Sequence, residues 1–104
     1  MPKHDFSTLR SHYPEIIEKM PTVFTSHEFI QALSRKYQAE YIDALFEYRD
    51  SLHMGKKAPF MMVHTQLATL LHTFPDLIEF VRQDVPSKDV FGQSNHCSEW
   101  RKVA

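Results

Sequence analysis

Residues 22–49 read TVFTSHEFIQALSRKYQAEYIDALFEYR, and this stretch decides the fold. Thr22-Val23-Phe24 is short, β-branched and aromatic, which predicts a three-residue strand. Thr25 and Glu28 then stand at the spacing of a capping box, so a helix is expected over about Ser26–Lys36. Phe29, Ile30, Leu33 and Tyr37 form its apolar face. A break near Tyr37-Gln38 precedes a second helical period, from Gln38 to about Leu52. Tyr41, Ile42, Leu45, Phe46, Tyr48 and Leu52 give that helix a wide apolar surface, and Gly55 stops it.

Working outward, Leu9, Tyr13, Ile16, Ile17 and Met20 share one helical face before this stretch. Pro14 interrupts them. Either the helix kinks there, or a short turn ends at Tyr13 and Pro14 opens a new helix. After the stretch, Lys56-Lys57-Ala58 is a loop into a helix over Pro59–Phe74. Its stripe is Phe60, Val63, Leu67, Leu70, Leu71 and Phe74, spaced three and four apart. The tail is rich in β-formers: Leu77, Ile78, Phe80, Val81 and Val85 predict a strand. Pro86–Asp89 reads as a turn, Val90 and Phe91 as an extension, and Gly92–Asn95 as a second turn. A last strand over Ser98–Val103 is anchored by Trp100 and Val103. The expected fold class is α+β and mainly helical: four helices and a C-terminal β-hairpin, in one domain over 1–104.

This order of elements resembles a winged helix-turn-helix domain. Thr22–Arg49 is similar to its strand and two helices, and Leu77–Val103 to its strands and wing. One helix more than the family pattern precedes the hairpin, so two registers stay open. Either Gln38–Leu52 is the recognition helix and Pro59–Phe74 an insertion, or Pro59–Phe74 is the recognition helix and the two before it are supports. The resemblance implies a DNA-binding module, a small regulator or accessory factor acting on double-stranded DNA.

Charge separates the two registers. Gln38–Asp50 carries Glu40, Asp43, Glu47 and Asp50 against Arg49 alone, and phosphates would repel it. Residues 51–75 contain no acid but hold Lys56, Lys57 and three histidines. On this reading Lys56 and Lys57 hold phosphates, while Thr65, Gln66 and Thr69 read base edges. Lys88, Arg101 and Lys102 are candidate phosphate contacts from the hairpin. The competing reading is a non-catalytic protein-interaction domain on the same fold, a homodimer or a scaffold for another protein. Tyr41 and Tyr48 on the acidic helix, or Met61-Met62, would be its contact surface. Adjacent methionines on a helix cannot both face one core, so one of the two is expected outside.

Catalytic and metal chemistry find little footing. The histidines at 4, 12, 27, 53, 64, 72 and 96 contain no i, i+3 or i, i+4 pair, and no metal site is expected. His96 and Cys97 are adjacent on a predicted strand and face opposite ways, which does not suit a nucleophile and its base. Glu15 with Glu18 and Glu40 with Asp43 belong to solvated helix faces. Two isolated glycines cannot build a phosphate-cradling loop. The expectation is no enzyme and no cofactor. Composition agrees with a small folded domain: 104 residues, thirteen aromatics and a net charge of −1 favour collapse around a single core. A single cysteine and the lack of a long apolar run point to a cytoplasmic protein with no membrane span. The near-zero charge also conceals an uneven distribution, with net −2 over residues 1–50, +2 over 51–75 and −1 over 76–104.

Overall fold

The computed structural model describes residues 6–49, 59–88 and 94–103. The chain is α+β and mainly helical. Its helices are α1 (Ser7–Arg10), α2 (Tyr13–Lys19), α3 (Ser26–Lys36), α4 (Gln38–Glu47) and α5 (Pro59–Leu70). A 3-10 turn over Leu71–Thr73 continues α5. The strands are β1 (Val23–Thr25), β2 (Ile78–Lys88) and β3 (Ser94–Lys102), antiparallel and ordered β1-β3-β2.

The first helical piece is two helices rather than four turns of one. Tyr13 is the first helical residue of α2 and Pro14 the second, where a missing N–H costs nothing. At α3 the capping box is complete. The Thr25 hydroxyl accepts from the Glu28 N–H, and the Glu28 carboxylate accepts from the Thr25 N–H. Tyr37 alone separates α3 from α4. The fourth helix stops at Glu47, short of Leu52, and α5 gives way to the 3-10 turn before Phe74. Leu52, Gly55, Lys56 and Lys57 lie outside the described residues.

The hairpin departs most from expectation. Pro86–Lys88 is strand, not turn, and β3 begins at Ser94 rather than Ser98. Pro86 is tolerated because β2 is an edge strand, where a missing ladder donor is affordable. The register slips between Phe80 and Arg82 and again between Arg82 and Val85. Asp84 at the second slip has a φ of 58°, the left-handed region that Asp enters more readily than most residues. Bulges of this kind bend a strand. The far half of the hairpin lies over the start of α3, where the Ser87 hydroxyl is 3.3 Å from that of Thr25.

The core joins the helices to one face of the sheet. Val63, Leu67 and Leu71 of the α5 stripe are fully buried, against Tyr13, Phe29 and Leu33. The Tyr13 hydroxyl donates to the Leu67 carbonyl at 2.6 Å and so ties α2 to α5, while burial pushes its pKa upward. Trp100 is 2 % exposed near the C-terminal end of β3, the central strand, opposite Phe24 on one side and Phe80 on the other. Its indole N–H donates to the Ser26 hydroxyl at 2.9 Å. Among the described residues no helix is long and apolar enough to cross a membrane.

On the surface, Glu15 of α2 accepts from the Lys36 ammonium and the Tyr37 hydroxyl, and so holds the α3–α4 corner. Lys36 first, then Tyr37, draws the carboxyl down from its ordinary 4.5 to about 2. A lowered folded-state pKa stabilises fully above the ordinary value and is lost as pH falls through the lowered one. Solvent screens this exposed cluster, so the effect is modest. Thermal melts should therefore show a pH-dependent loss of stability between about pH 4.5 and 2 that shrinks in Glu15→Gln. Identical acid profiles would exclude the contact.

Candidate binding groove

The first turn of α3, the outer flank of α5 and the middle of β3 enclose an open groove of about 400 Å³. Each wall follows from local structure. The Thr25 cap starts α3 at Ser26, which places Ser26 and His27 at the groove and leaves Ile30 one turn deeper. On α5 the core stripe at 63, 67 and 71 turns Met61, Thr65 and Thr69 outward, all exposed. Across from them the Trp100 anchor fixes β3, so His96, Cys97 and Ser98 form the opposite wall.

Four imidazoles stand around this space, from four elements: His27 (α3), His64 (α5), His72 (the 3-10 turn) and His96 (β3). His72 meets the Trp100 ring edge-on at 4.7 Å between centroids. His64 Nε2 lies 2.6 Å from the Tyr41 hydroxyl of α4. Burial pushes the Tyr41 pKa up to about 12, so the phenol keeps its proton and can donate it to Nε2. In that arrangement neutral His64 carries its own proton on Nδ1. No Asp, Glu, Lys or Arg is among the described residues that line the groove. Nor do three or more His, Cys, Asp or Glu come close enough to share a metal ion among the described residues.

The candidates from sequence scatter into four places. Thr65, Thr69 and Met61 come together at the groove, with Gln66 exposed beside them on α5. Lys88 is exposed at the far end of β2. Arg101 and Lys102 sit at the other end of the hairpin, against β1 and α2. Arg101 is paired with Glu79. The Lys102 ammonium donates to the Glu18 and Met20 carbonyls at 3.0 and 2.9 Å, where a cation suits the C-terminal end of α2. Tyr48 is buried in the core, while Tyr41 and Met62 are half-buried against it. Met61 is the outward methionine of its pair.

Two features escaped the sequence reading. His27 joins the other histidines, and its position two residues after the Thr25 cap was the available signal. Ile42 and Phe46, each 59 % exposed, form an apolar strip on the outer face of α4. The apolar set on that helix was wider than one core stripe, and Ala44 and Tyr48 take the buried side.

No family model, curated protein or solved structure matches the chain.

Tyr41→Phe tests the wiring of this wall. The ¹⁵N shifts of His64 should be those of the Nδ1–H tautomer in the parent protein. They should move toward a mixed tautomer in the variant, with about 0.5–1.5 kcal/mol of stability lost in urea unfolding. Unchanged imidazole shifts would remove the hydrogen bond from the account.

Proposed function

We propose that the chain is a winged-helix-like DNA-binding module, with α5 as the helix presented to the major groove. The observation that carries this reading is the outward face of α5. Thr65, Gln66 and Thr69 are exposed together, beside a groove whose described lining holds no carboxylate. Small hydroxyls and an amide are suited to base edges, and an acid-free flank suits a polyanion. The order of elements supports the same reading. The α5 helix leads through the 3-10 turn into the β2–β3 hairpin, and β1 closes the sheet on β3. The hairpin stands across the groove from α5, which supports its reading as a wing. Lys88 supplies a phosphate contact from that hairpin. Arg101, exposed but paired with Glu79, and Lys102, bonded to the Glu18 and Met20 carbonyls, lie at its other end and leave the set.

A protein-interaction role is the second reading, favoured by one observation. Ile42 and Phe46 expose apolar surface on adjacent turns of α4, with Asp43 and Glu47 exposed alongside. Such a strip is an apolar patch of the kind a protein partner covers.

Titration with a pool of random-sequence duplexes tests the first reading. The parent protein should bind with an affinity that falls as salt rises. Thr65→Ala/Gln66→Ala/Thr69→Ala should narrow the gap between preferred and random sequences, and Lys88→Ala should flatten the salt slope. A parent protein with no salt-sensitive duplex binding would overturn it. For the second reading, sedimentation at rising concentration should show association that Ile42→Ser/Phe46→Ser abolishes. Parent and variant sedimenting alike as monomers would exclude self-association through α4.

A further inference from the structure

We infer that the outer half of the β2–β3 hairpin is a hinged arm. Residues 85–88 and 94–97 swing together about the interrupted ladder at residues 82–84, and the Ser87–Thr25 contact is the latch that holds them beside the groove. The inference does not depend on the DNA-binding reading, and its test uses no nucleic acid.

Three observations divide the hairpin into a fixed root and a movable outer half. The first is pairing. At the root β3 lies between two strands: Phe24 and Phe80 both face Trp100, and Val23 and Glu79 both face Arg101. Pairing with β1 ends at Glu99, so among the described residues β3 is paired with β2 alone from Cys97 to Ser94. A two-stranded ribbon by itself is marginally stable in water. The second is burial. Ile78 and Trp100 are buried at the root, whereas none of the described side chains of the outer half is buried. Val85, Ser87 and Cys97 are half-buried there, and Pro86, Lys88 and His96 are exposed. The third is the ladder itself. Its register slips on both sides of Arg82, and Asp84 takes a φ of 58° at the second slip. A bulge disrupts the ladder locally and bends its strand, so the two halves are joined least rigidly there. Few buried contacts and a broken ladder let a segment open at a small fraction of the free energy of global unfolding.

The latch is built to release. The Thr25 hydroxyl donates to the Glu28 carboxylate at 3.2 Å and accepts from the Glu28 N–H at 3.2 Å. Its proton is therefore committed, and at 3.3 Å the Ser87 hydroxyl is the donor to the Thr25 oxygen. The Lys88 carbonyl lies 3.4 Å from the same Ser87 oxygen, an alternative acceptor that travels with the arm. Opening thus exchanges one hydrogen bond for another. His96 and Cys97 belong to the β3 wall of the groove, while Ser26 stays with the root through its bond to Trp100. A swing of the arm parts these two walls and controls access to the groove.

Native-state hydrogen exchange of the full chain tests the arm. After correction for intrinsic rates, the amides of residues 94–97 should share one rate, at least about 100-fold faster than residues 100–102. Ser87→Ala should raise that shared rate about two- to fivefold, the worth of one hydrogen bond, and leave residues 100–102 unchanged. Cys97 is the only cysteine and reports on the groove. Its alkylation by N-ethylmaleimide should accelerate in Ser87→Ala by the same factor. Equal protection along the whole of β3, or a smooth gradient from Ser94 to Lys102 as at a fraying end, would overturn the hinge. Unchanged arm exchange in Ser87→Ala would overturn the latch. Unchanged alkylation of Cys97 in that variant would overturn the control of the groove.

Discussion

Burial of Trp100 is the constraint on which the rest of this structure depends. The residue sits on the central strand, opposite Phe24 of β1 and Phe80 of β2. Its indole N–H reaches out of the sheet to Ser26 at the start of α3. One side chain therefore fixes all three strands and the helix that packs on them. A buried indole N–H without an acceptor would be costly, so the Ser26 hydroxyl sets the distance between helix and sheet. The same contact determines that β3 and the first turn of α3 face each other across a groove.

The helical half of this design was legible in residues that act locally. Thr25 and Glu28 satisfy each other within one turn, so their capping box could be read without knowledge of the rest. Val63, Leu67 and Leu71 recur at helical spacing because α5 and the 3-10 turn that continues it pack along their length. Pro14 marked a break because its ring admits few backbone geometries. The hairpin was less legible because its shape depends on pairing. Pro86 has the composition of a turn residue, and only its place on an edge strand lets it lie within β2. The slips around Arg82 and Asp84 are fixed by register against β3, which no local pattern announces.

The site was legible only in part, for the same reason. An acid-free segment pointed to α5, and its Thr65 and Thr69 do face the groove. The charges assigned to the hairpin did not share one surface, because strand direction separates Lys88 from Arg101 and Lys102 by most of β2's length. Lys102 instead caps α2 through two carbonyls, a long-range contact invisible in a linear chain. His27, His64, His72 and His96 lie far apart in sequence and converge through tertiary packing alone. The exposure of Ile42 and Phe46 had a related origin: α4 is apolar on more of its circumference than the core can cover.

A chain with one indole allows the central constraint to be measured directly. Hydrogen exchange of the Trp100 indole N–H reports whether it is held within the fold. If the indole joins sheet and α3 as described, its proton should exchange only with global unfolding, at the rate of the slowest core amides of α5 and β3. An indole proton that exchanges like an exposed tryptophan, while those amides stay protected, would contradict the account.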